Sequence, residues 1–145
     1  MSQTLEPKFS PERQRWYPHM FPLDIAIWER FLDKYAEQYT GFDYDIKVGT
    51  GAPIEPGLAS NYAHMIGTLS KYRIDCVGHS NSSIDIIEVK PAASTTAIGQ
   101  LVMYTKLFME DFSPDLKVRG VIVTDREMPD MKLLTEHLGF GYYIV

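Results

Sequence analysis

The chain has 145 residues, of which 45% are hydrophobic and 23% charged, a composition typical of one globular domain that buries its own core. It contains no apolar run long enough to cross a membrane, and its single cysteine excludes an internal disulfide or a cysteine-rich cluster. A net charge of −5 disfavours binding to nucleic acid through a basic surface alone. The polar N-terminus does not resemble a signal peptide, so we expect a cytoplasmic protein without a membrane segment.

The first 22 residues are polar and then rich in proline and aromatic side chains. They predict an extended arm (residues 1–22) that packs over the body and is disordered at its start, followed by one domain over residues 23–145. Arg13 and Arg15 on the arm could contact DNA or a second subunit. A surface arm without a partner is the simpler interpretation, and we prefer it.

Residues 24–39 form the first predicted helix, because large apolar side chains recur there at spacings of three and four. The members of this stripe are Trp28, Phe31, Leu32, Tyr35 and Tyr39. Asp24 is the predicted N-terminal cap. Glu29 lies at the border of the stripe, where its side chain can either point into a site beside the core or pair with a basic neighbour on the surface.

Residues 42–49 predict the first strand, because apolar and polar side chains alternate there and leave one face to be buried. The apolar members are Tyr44, Ile46 and Val48. Residues 54–69 predict a short helix or an ordered loop before the next strand, since proline and glycine interrupt the helical spacing at its ends.

Two runs rich in β-branched side chains, residues 72–77 and 84–90, flank a cluster of turn-forming residues and predict a β-hairpin. If residues 81–82 form a two-residue turn, Asp75 lies directly opposite Glu88, with Cβ atoms about 5 Å apart. Two carboxylates that close repel each other unless a cation or a proton lies between them.

Strand alternation places Glu88 and Lys90 on one face of a strand that is otherwise almost entirely apolar and that we expect to be buried on both faces. An Asp, a Glu and a Lys arranged in this way can hold a divalent ion and assist phosphodiester hydrolysis. The same pattern also occurs by chance, with the charges on a solvated strand face. Lys71 and Arg73 share a face with Asp75 and form either a basic approach to the ion or two solvated cations.

A second long helix is predicted over residues 94–111, capped by Ser94 or Thr95. Gln100 and Tyr104 are neighbours on one face of it, at the border of its apolar arc, where they can either contact a site or complete the packing. Three further elements are predicted: a buried strand over residues 117–124, a short helix over residues 129–138 and a last strand over residues 139–145.

The chain resembles the PD-(D/E)XK nuclease superfamily, and within it the RecB/Cas4-like branch with a Gln-x-x-x-Tyr motif. The resemblance rests on three segments: Arg73-Ile74-Asp75, Ile87-Glu88-Val89-Lys90 and Gly99-Gln100-x-x-x-Tyr104. Ile74 stands where proline is usual, and the cysteines of the Cas4 iron–sulfur cluster are absent. The resemblance implies an α/β fold with a restriction-endonuclease-like αβββαβ core, in which helices flank a mixed central sheet.

The same resemblance implies a deoxyribonuclease that depends on Mg²⁺ or Mn²⁺ and acts on DNA, of the small type common in phages and mobile elements. Asp75, Glu88 and the Val89 carbonyl would hold the ion, and Lys90 would orient or help deprotonate the attacking water. Because such nucleases often bring an acid from the first helix to the metal, Glu29 is the candidate there. The remaining residues would position the substrate: Lys71, Arg73, Gln100 and Tyr104.

A second function class remains open from the sequence. The acidic charge and the absence of an added DNA-binding segment favour a catalytically weak or inactive nuclease-fold domain that docks a partner, for example in a phage assembly. Homodimerisation, or binding to a phage or host protein, is compatible with either function. A divalent-ion titration separates the two, because a docking module should bind no ion at the Asp75–Glu88 pair.

Overall fold

A computed structural model describes residues 6–53 and 55–145, so the expected disorder of the first few residues lies outside the described part. The helices are α1 (Pro22–Tyr35), α2 (Ser60–Leu69), α3 (Thr95–Phe112) and α4 (Met131–Leu138), and a 3-10 turn covers Ala36–Gln38. The strands are β1 (Gly41–Val48), β2 (Tyr72–His79), β3 (Ser83–Val89), β4 (Lys117–Thr124) and β5 (Gly141–Ile144).

The five strands form one mixed sheet in the order β1-β2-β3-β4-β5. The first two pairings, β1 with β2 and β2 with β3, are antiparallel. The pairings of β3 with β4 and of β4 with β5 are parallel, so each needs a crossover, which α3 and α4 supply. The predicted α/β architecture with a mixed central sheet flanked by helices is confirmed.

Hydrophobic clusters cover both faces of the sheet. One cluster contains the α1 side chains Trp28 and Phe31, and the other contains Leu101 and Phe108 of α3. β3 contributes to both clusters: Ile84 and Ile86 to the α3 cluster, and Ile87 and Val89 to the α1 cluster. The expectation that this strand is buried on both faces is therefore confirmed. The buried Trp28 indole donates a hydrogen bond to the Tyr44 hydroxyl at 3.1 Å.

The expected alternation of β1, with one buried face, is wrong. Tyr44 packs in the α1 cluster, whereas Val48 belongs to the α3 cluster and Ile46 packs against it. Between them, Asp45 adopts a left-handed backbone conformation with φ of 56°, which interrupts the pleat so that the following side chains point to the opposite face. Aspartate tolerates this conformation better than most residues, but the hydrophobic pattern contains no sign of it.

The first helix begins earlier and ends earlier than predicted. Pro22 is its first residue, as suits a residue without an N–H, and Asp24 lies within the first turn, where its carboxylate accepts the Phe21 N–H at 3.1 Å. Asp24 therefore satisfies the helix start from inside and is not the cap residue itself. After the 3-10 turn, Tyr39 leaves the helix, and its buried hydroxyl donates to Asp85 Oδ2 at 2.7 Å.

The described part of the arm packs on β1 and α1. Phe9 exchanges two backbone hydrogen bonds with Phe42, at 2.9 and 3.0 Å. Tyr17 is buried and meets Tyr44 edge to face with ring centroids 5.2 Å apart, whereas Trp16 is 72% exposed. These contacts fix the path by which the arm approaches the start of α1.

In contrast to the other helices, α2 exposes most of its apolar side chains. They are Tyr62, Met65, Ile66 and Leu69, which are between 39% and 67% exposed. In the part of the chain that the structure describes, no helix is both long and apolar enough to cross a membrane.

Candidate functional site

The β2–β3 hairpin brings Asp75 and Glu88 together. Its ladder pairs Cys76 with Ile87, so the next facing positions are Asp75 and Glu88, as the predicted two-residue turn requires. Beyond the last ladder pair, the Asp75 carboxylate accepts the Val89 N–H at 3.0 Å through Oδ2. That bond fixes the Asp75 side chain against the strand that carries Glu88.

Burial and mutual repulsion make ionisation of both carboxyl groups unfavourable. Burial raises the pKa of Asp75, and the hydrogen bond from Val89 opposes this only in part. Burial also raises the pKa of Glu88, and the negative charge of Asp75 raises it further, while Lys90 lowers it. A bound cation would offset this repulsion and favour the form in which both groups are ionised.

Two buried oxygen atoms at this site lack hydrogen-bond partners within the described residues: Glu88 Oε2 and Gln100 Oε1. Buried polar atoms are nearly always satisfied, so these two oxygens are available to a water molecule or a ligand. Carboxylate and amide oxygens are the donors that a hard divalent cation such as Mg²⁺ takes, together with water and phosphate. The donor set and the like-charged carboxylates both fit a divalent cation.

These residues do not form a complete set of side-chain ligands for a metal ion. Among residues 6–53 and 55–145, no three His, Cys, Asp or Glu side chains converge on one point at metal-binding spacing. The side-chain acids are limited to the Asp75–Glu88 pair, so further ligands would have to be backbone oxygen, water or substrate. The predicted contribution of the Val89 carbonyl remains a prediction.

Tyr104 and Gln100 of α3 lie on the side of the sheet that Glu88 faces. Tyr104 is buried, and burial raises the pKa of its hydroxyl to about 12, with further contributions from the Glu88 and Asp75 carboxylates. The Gln100 amide acts in the opposite direction. The Tyr104 hydroxyl therefore remains a neutral donor near the carboxylate pair.

Lys90 directly follows β3, and its side chain is exposed. Its backbone N–H donates to the Val123 carbonyl at 3.0 Å. The next N–H groups are also bound to the end of β4: that of Ala92 to Asp125 Oδ1 at 2.7 Å and that of Ala93 to the Thr124 hydroxyl at 3.0 Å. Three donors thus attach the segment between Lys90 and α3 to β4.

Two of the predicted residues have other partners. Glu29 forms an ion pair with Arg13 of the arm at 3.3 Å. Arg73 donates two hydrogen bonds to Asp45, at 2.7 and 2.6 Å, so its charge is already neutralised. Lys71 immediately precedes β2 and is partly exposed.

Sequence reasoning missed two groups that act on the carboxylate pair. Asp24, near the start of α1, raises the pKa of Asp75, whereas His19 lowers it. His19 has a left-handed backbone with φ of 63°, which turns the arm just before α1. Asp24 was identified only as a helix cap, and no pattern in the sequence indicates that the arm brings His19 close enough to act on Asp75.

The cavities of about 500, 330 and 380 Å³ in the described part of the chain are not lined by Asp75, Glu88, Lys90, Gln100 or Tyr104. An apolar cavity of about 500 Å³ lies between the start of α3 and α4, and the predicted site residues in the described part are not among its lining residues. A cleft of about 380 Å³ includes Tyr72 in its lining, and the Tyr72 ring centroid lies 5.8 Å from that of Tyr104. Tyr72 is therefore the residue that connects the second cleft to Tyr104.

No protein-family model matches the sequence, and no curated protein matches it. Among solved structures, the chain is similar to one described as an EndoMS–dsDNA2 complex, with a TM-score of 0.50 and 18% sequence identity over 100% of this chain. The chain spans 48% of that protein's length, about half. At this identity the similarity shows the fold, which is α/β with a restriction-endonuclease-like core.

Proposed function

We propose that the protein is a divalent-metal-dependent deoxyribonuclease that hydrolyses phosphodiester bonds during DNA processing, repair or recombination of a phage or mobile element. One observation carries the proposal: the half-buried Asp75 and the buried Glu88 have raised pKa values, an oxygen of Glu88 has no hydrogen-bond partner in the described residues, and a lysine lies two residues beyond Glu88. The solved DNA complex of a protein with this fold supports DNA as the substrate.

In this proposal Asp75, Glu88 and the Val89 carbonyl hold Mg²⁺ or Mn²⁺. When bound, such an ion lowers the pKa of water and stabilises the charge that develops on the phosphate. Lys90 orients the attacking water or assists its deprotonation. The hydrogen bond from Val89 N–H to Asp75 keeps one carboxylate in place while the other binds.

Gln100 and Tyr104 have the role that the RecB/Cas4-like branch suggests, which is to hold the substrate strand. The free Gln100 oxygen accepts from a water or an amino group, and the neutral Tyr104 hydroxyl donates to a phosphate oxygen. Lys71 supplies a positive charge at the same edge of the sheet, whereas Arg73 is neutralised by Asp45. The cytoplasm, where Mg²⁺ and DNA are available, is the proposed location.

Cleavage assays test this function. Plasmid and single-stranded DNA are incubated with Mg²⁺ or Mn²⁺ and with wild type, Glu88→Ala or Lys90→Ala. We expect cleavage by wild type that a chelator abolishes, and rates at least about 100-fold lower in each variant. Equal rates for the three proteins would remove the proposal.

A matched pair of variants tests whether a carboxylate of α1 influences ion binding at the Asp75–Glu88 pair. Asp24→Asn keeps an oxygen that can accept the Phe21 N–H but removes the charge that acts on the pair. Glu29→Gln removes one of the partners of Arg13. We expect Mg²⁺ affinity to fall in Asp24→Asn and to be unchanged in Glu29→Gln. The reverse result would support the prediction that Glu29 is the acid of α1.

The exposed apolar surface of α2 favours the second candidate function, a weakly active or inactive domain that docks a homologous copy or a phage or host protein. Such surfaces commonly mark protein contacts. Isothermal titration with Mg²⁺ and Mn²⁺ separates the candidates. A nuclease would give a heat of ion binding that Glu88→Ala abolishes. A docking module would bind no ion at the carboxylate pair, so wild type and Glu88→Ala would give the same titration.

A further inference from the structure

A cleft of about 380 Å³ lies between the loop that follows β1 and the helix α3. The loop at residues 49–52 and Ser70 form one side of it, Met103 and Leu107 of α3 form the other, and the Tyr72 ring forms a wall. Its volume falls in the range of small-molecule sites. Both backbone polar groups and apolar side chains line it, which suits a ligand that is flat, apolar on its faces and polar at its edges.

Tyr72 connects this cleft to the candidate site. One side of its ring meets Tyr104 with centroids 5.8 Å apart, and the hydroxyl of Tyr104 is close enough to Glu88 and Asp75 to respond to their charge. The Tyr72 side chain is nevertheless 51% exposed. A half-exposed aromatic ring braced against a buried one presents a fixed flat surface to solvent.

The loop that faces Tyr72 is held in place. Gly49 N–H donates to Asp111 Oδ2 at 2.9 Å, and Ala52 N–H donates to the Ser70 hydroxyl. Gly49 has a φ of 89°, and a Cβ there would lie 3.6 Å from the Tyr72 ring and 3.2 Å from Leu107. The absence of a side chain at Gly49 therefore keeps the space beside the ring open.

We propose that this cleft receives one unpaired base of a nucleic-acid strand, which stacks on Tyr72 while the strand's phosphate lies at the Asp75–Glu88 pair. The inference rests on the proposed function and adds to it a base-binding site and a preference for a strand with unpaired bases. Every base has a π-face, so stacking binds without regard to sequence. Lys71, next to Tyr72 in the chain, provides the positive charge for the flanking phosphate.

Binding measurements test the site independently of cleavage. A fluorescently labelled oligothymidine strand is titrated with wild type, Tyr72→Ala, Tyr72→Phe and Tyr62→Ala, in Ca²⁺ so that binding is measured without turnover. The loss of one stacking partner weakens single-strand binding by about 5- to 150-fold. We expect a loss of about tenfold in Tyr72→Ala and wild-type affinity in Tyr72→Phe, which keeps the ring.

Tyr62→Ala is the matched control, because Tyr62 is equally exposed, at 56%, but lies on α2 outside the cleft lining. A strand with an abasic position serves as the second probe: its binding should be weaker for wild type and insensitive to Tyr72→Ala. Equal affinities of wild type and Tyr72→Ala for the intact strand, or an equal loss on the abasic strand, would overturn the site. If the protein cleaves DNA without this base dependence, the nuclease proposal stands and the base-binding site is refuted. If binding depends on the base but no cleavage occurs, the base-binding site stands and the nuclease proposal is refuted.

Discussion

The buried carboxylates of this protein fall into two groups with opposite surroundings. Asp85 accepts the Tyr39 hydroxyl at 2.7 Å and the Arg119 guanidinium at 3.0 Å. Asp43 lies 2.9 Å from a His79 ring nitrogen and accepts the Lys8 N–H at 3.0 Å. These acids are fully partnered by the fold.

The Asp75–Glu88 pair is compensated less completely. Asp75 accepts the Val89 N–H, Lys90 and Asp24 act on the pKa of Glu88 in opposite directions, and Glu88 Oε2 has no partner in the described residues. Ionisation of both groups without a bound cation is therefore costly. The comparison teaches that missing partners, more than burial alone, single out an acid as a candidate for ligand binding.

Removal of a partnered acid should have the largest effect on stability. We expect Asp85→Ala to lower the free energy of unfolding by about 3 kcal/mol, because Arg119 and Tyr39 lose their acceptor inside the protein. Urea denaturation measures the change. Glu110→Ala, which removes an exposed helical ion pair with Lys106, is the control and should leave the urea midpoint unchanged. A loss below about 1 kcal/mol for Asp85→Ala would mean that the partners of Asp85 contribute little to stability, and the contrast with the Asp75–Glu88 pair would fail.

Proton release on metal binding should be the next largest effect. Because the pKa of Glu88 is raised, the ion must displace a proton below that pKa, and the Mg²⁺ affinity should rise with pH by up to about tenfold per unit. Titration calorimetry in two buffers of different ionisation enthalpy measures both the affinity and the released protons. An affinity independent of pH between about 6 and 8 would mean that the pair is already ionised without a cation.

Neutralisation of Glu88 should stabilise the protein when no metal is present. A raised pKa means that the folded state binds the Glu88 proton more tightly than the unfolded state does. The contribution of this proton to the free energy of unfolding is therefore fully present at low pH and falls as the pH rises above about 4.5. Glu88→Gln removes this loss, and we expect it to raise the melting temperature at about pH 8 by about 3 °C for each kcal/mol regained. Differential scanning calorimetry at about pH 5 and 8 with a chelator gives the difference. A variant less stable than wild type at both pH values would show that Glu88 is partnered after all.

The smallest expected effect concerns the attachment of the Lys90 segment to β4. Asp125→Ala removes the acceptor of the Ala92 N–H, worth about 1 kcal/mol, and should lower kcat by about threefold to tenfold without changing the Mg²⁺ affinity. Asp125→Asn keeps an acceptor oxygen and should restore the rate. Steady-state cleavage kinetics with both variants measure this. Equal kcat for Asp125→Ala and wild type would show that Lys90 is positioned by β3 alone.

The part of the site that depends on local geometry could be predicted from the sequence. A two-residue turn fixes the register of a hairpin, so the position of Asp75 opposite Glu88 follows once the turn is placed at residues 81–82. The spacing of Gln100 and Tyr104 likewise fixes their common helix face. The fold class followed from the order of the elements.

The rest depends on contacts between distant parts of the chain. Glu29 remains the predicted acid of α1; the sequence did not show that the arm folds back and brings Arg13 to it, or that Asp24 acts on the pKa of Asp75. The attachment of Ala93 to Thr124 joins residues 31 apart, and the conformation of Asp45 reverses the faces of β1. None of these contacts alters hydrophobic periodicity, so no pattern in the sequence indicates them.

The two tryptophans of the chain have opposite environments. Trp28 is fully buried against α1 and β1, whereas Trp16 is 72% exposed on the arm. Indole emission shifts to longer wavelength in water, so the two side chains contribute emission bands with different maxima. The shorter-wavelength part, from Trp28, follows unfolding of the core, and the longer-wavelength part, from Trp16, follows any molecule that covers the arm.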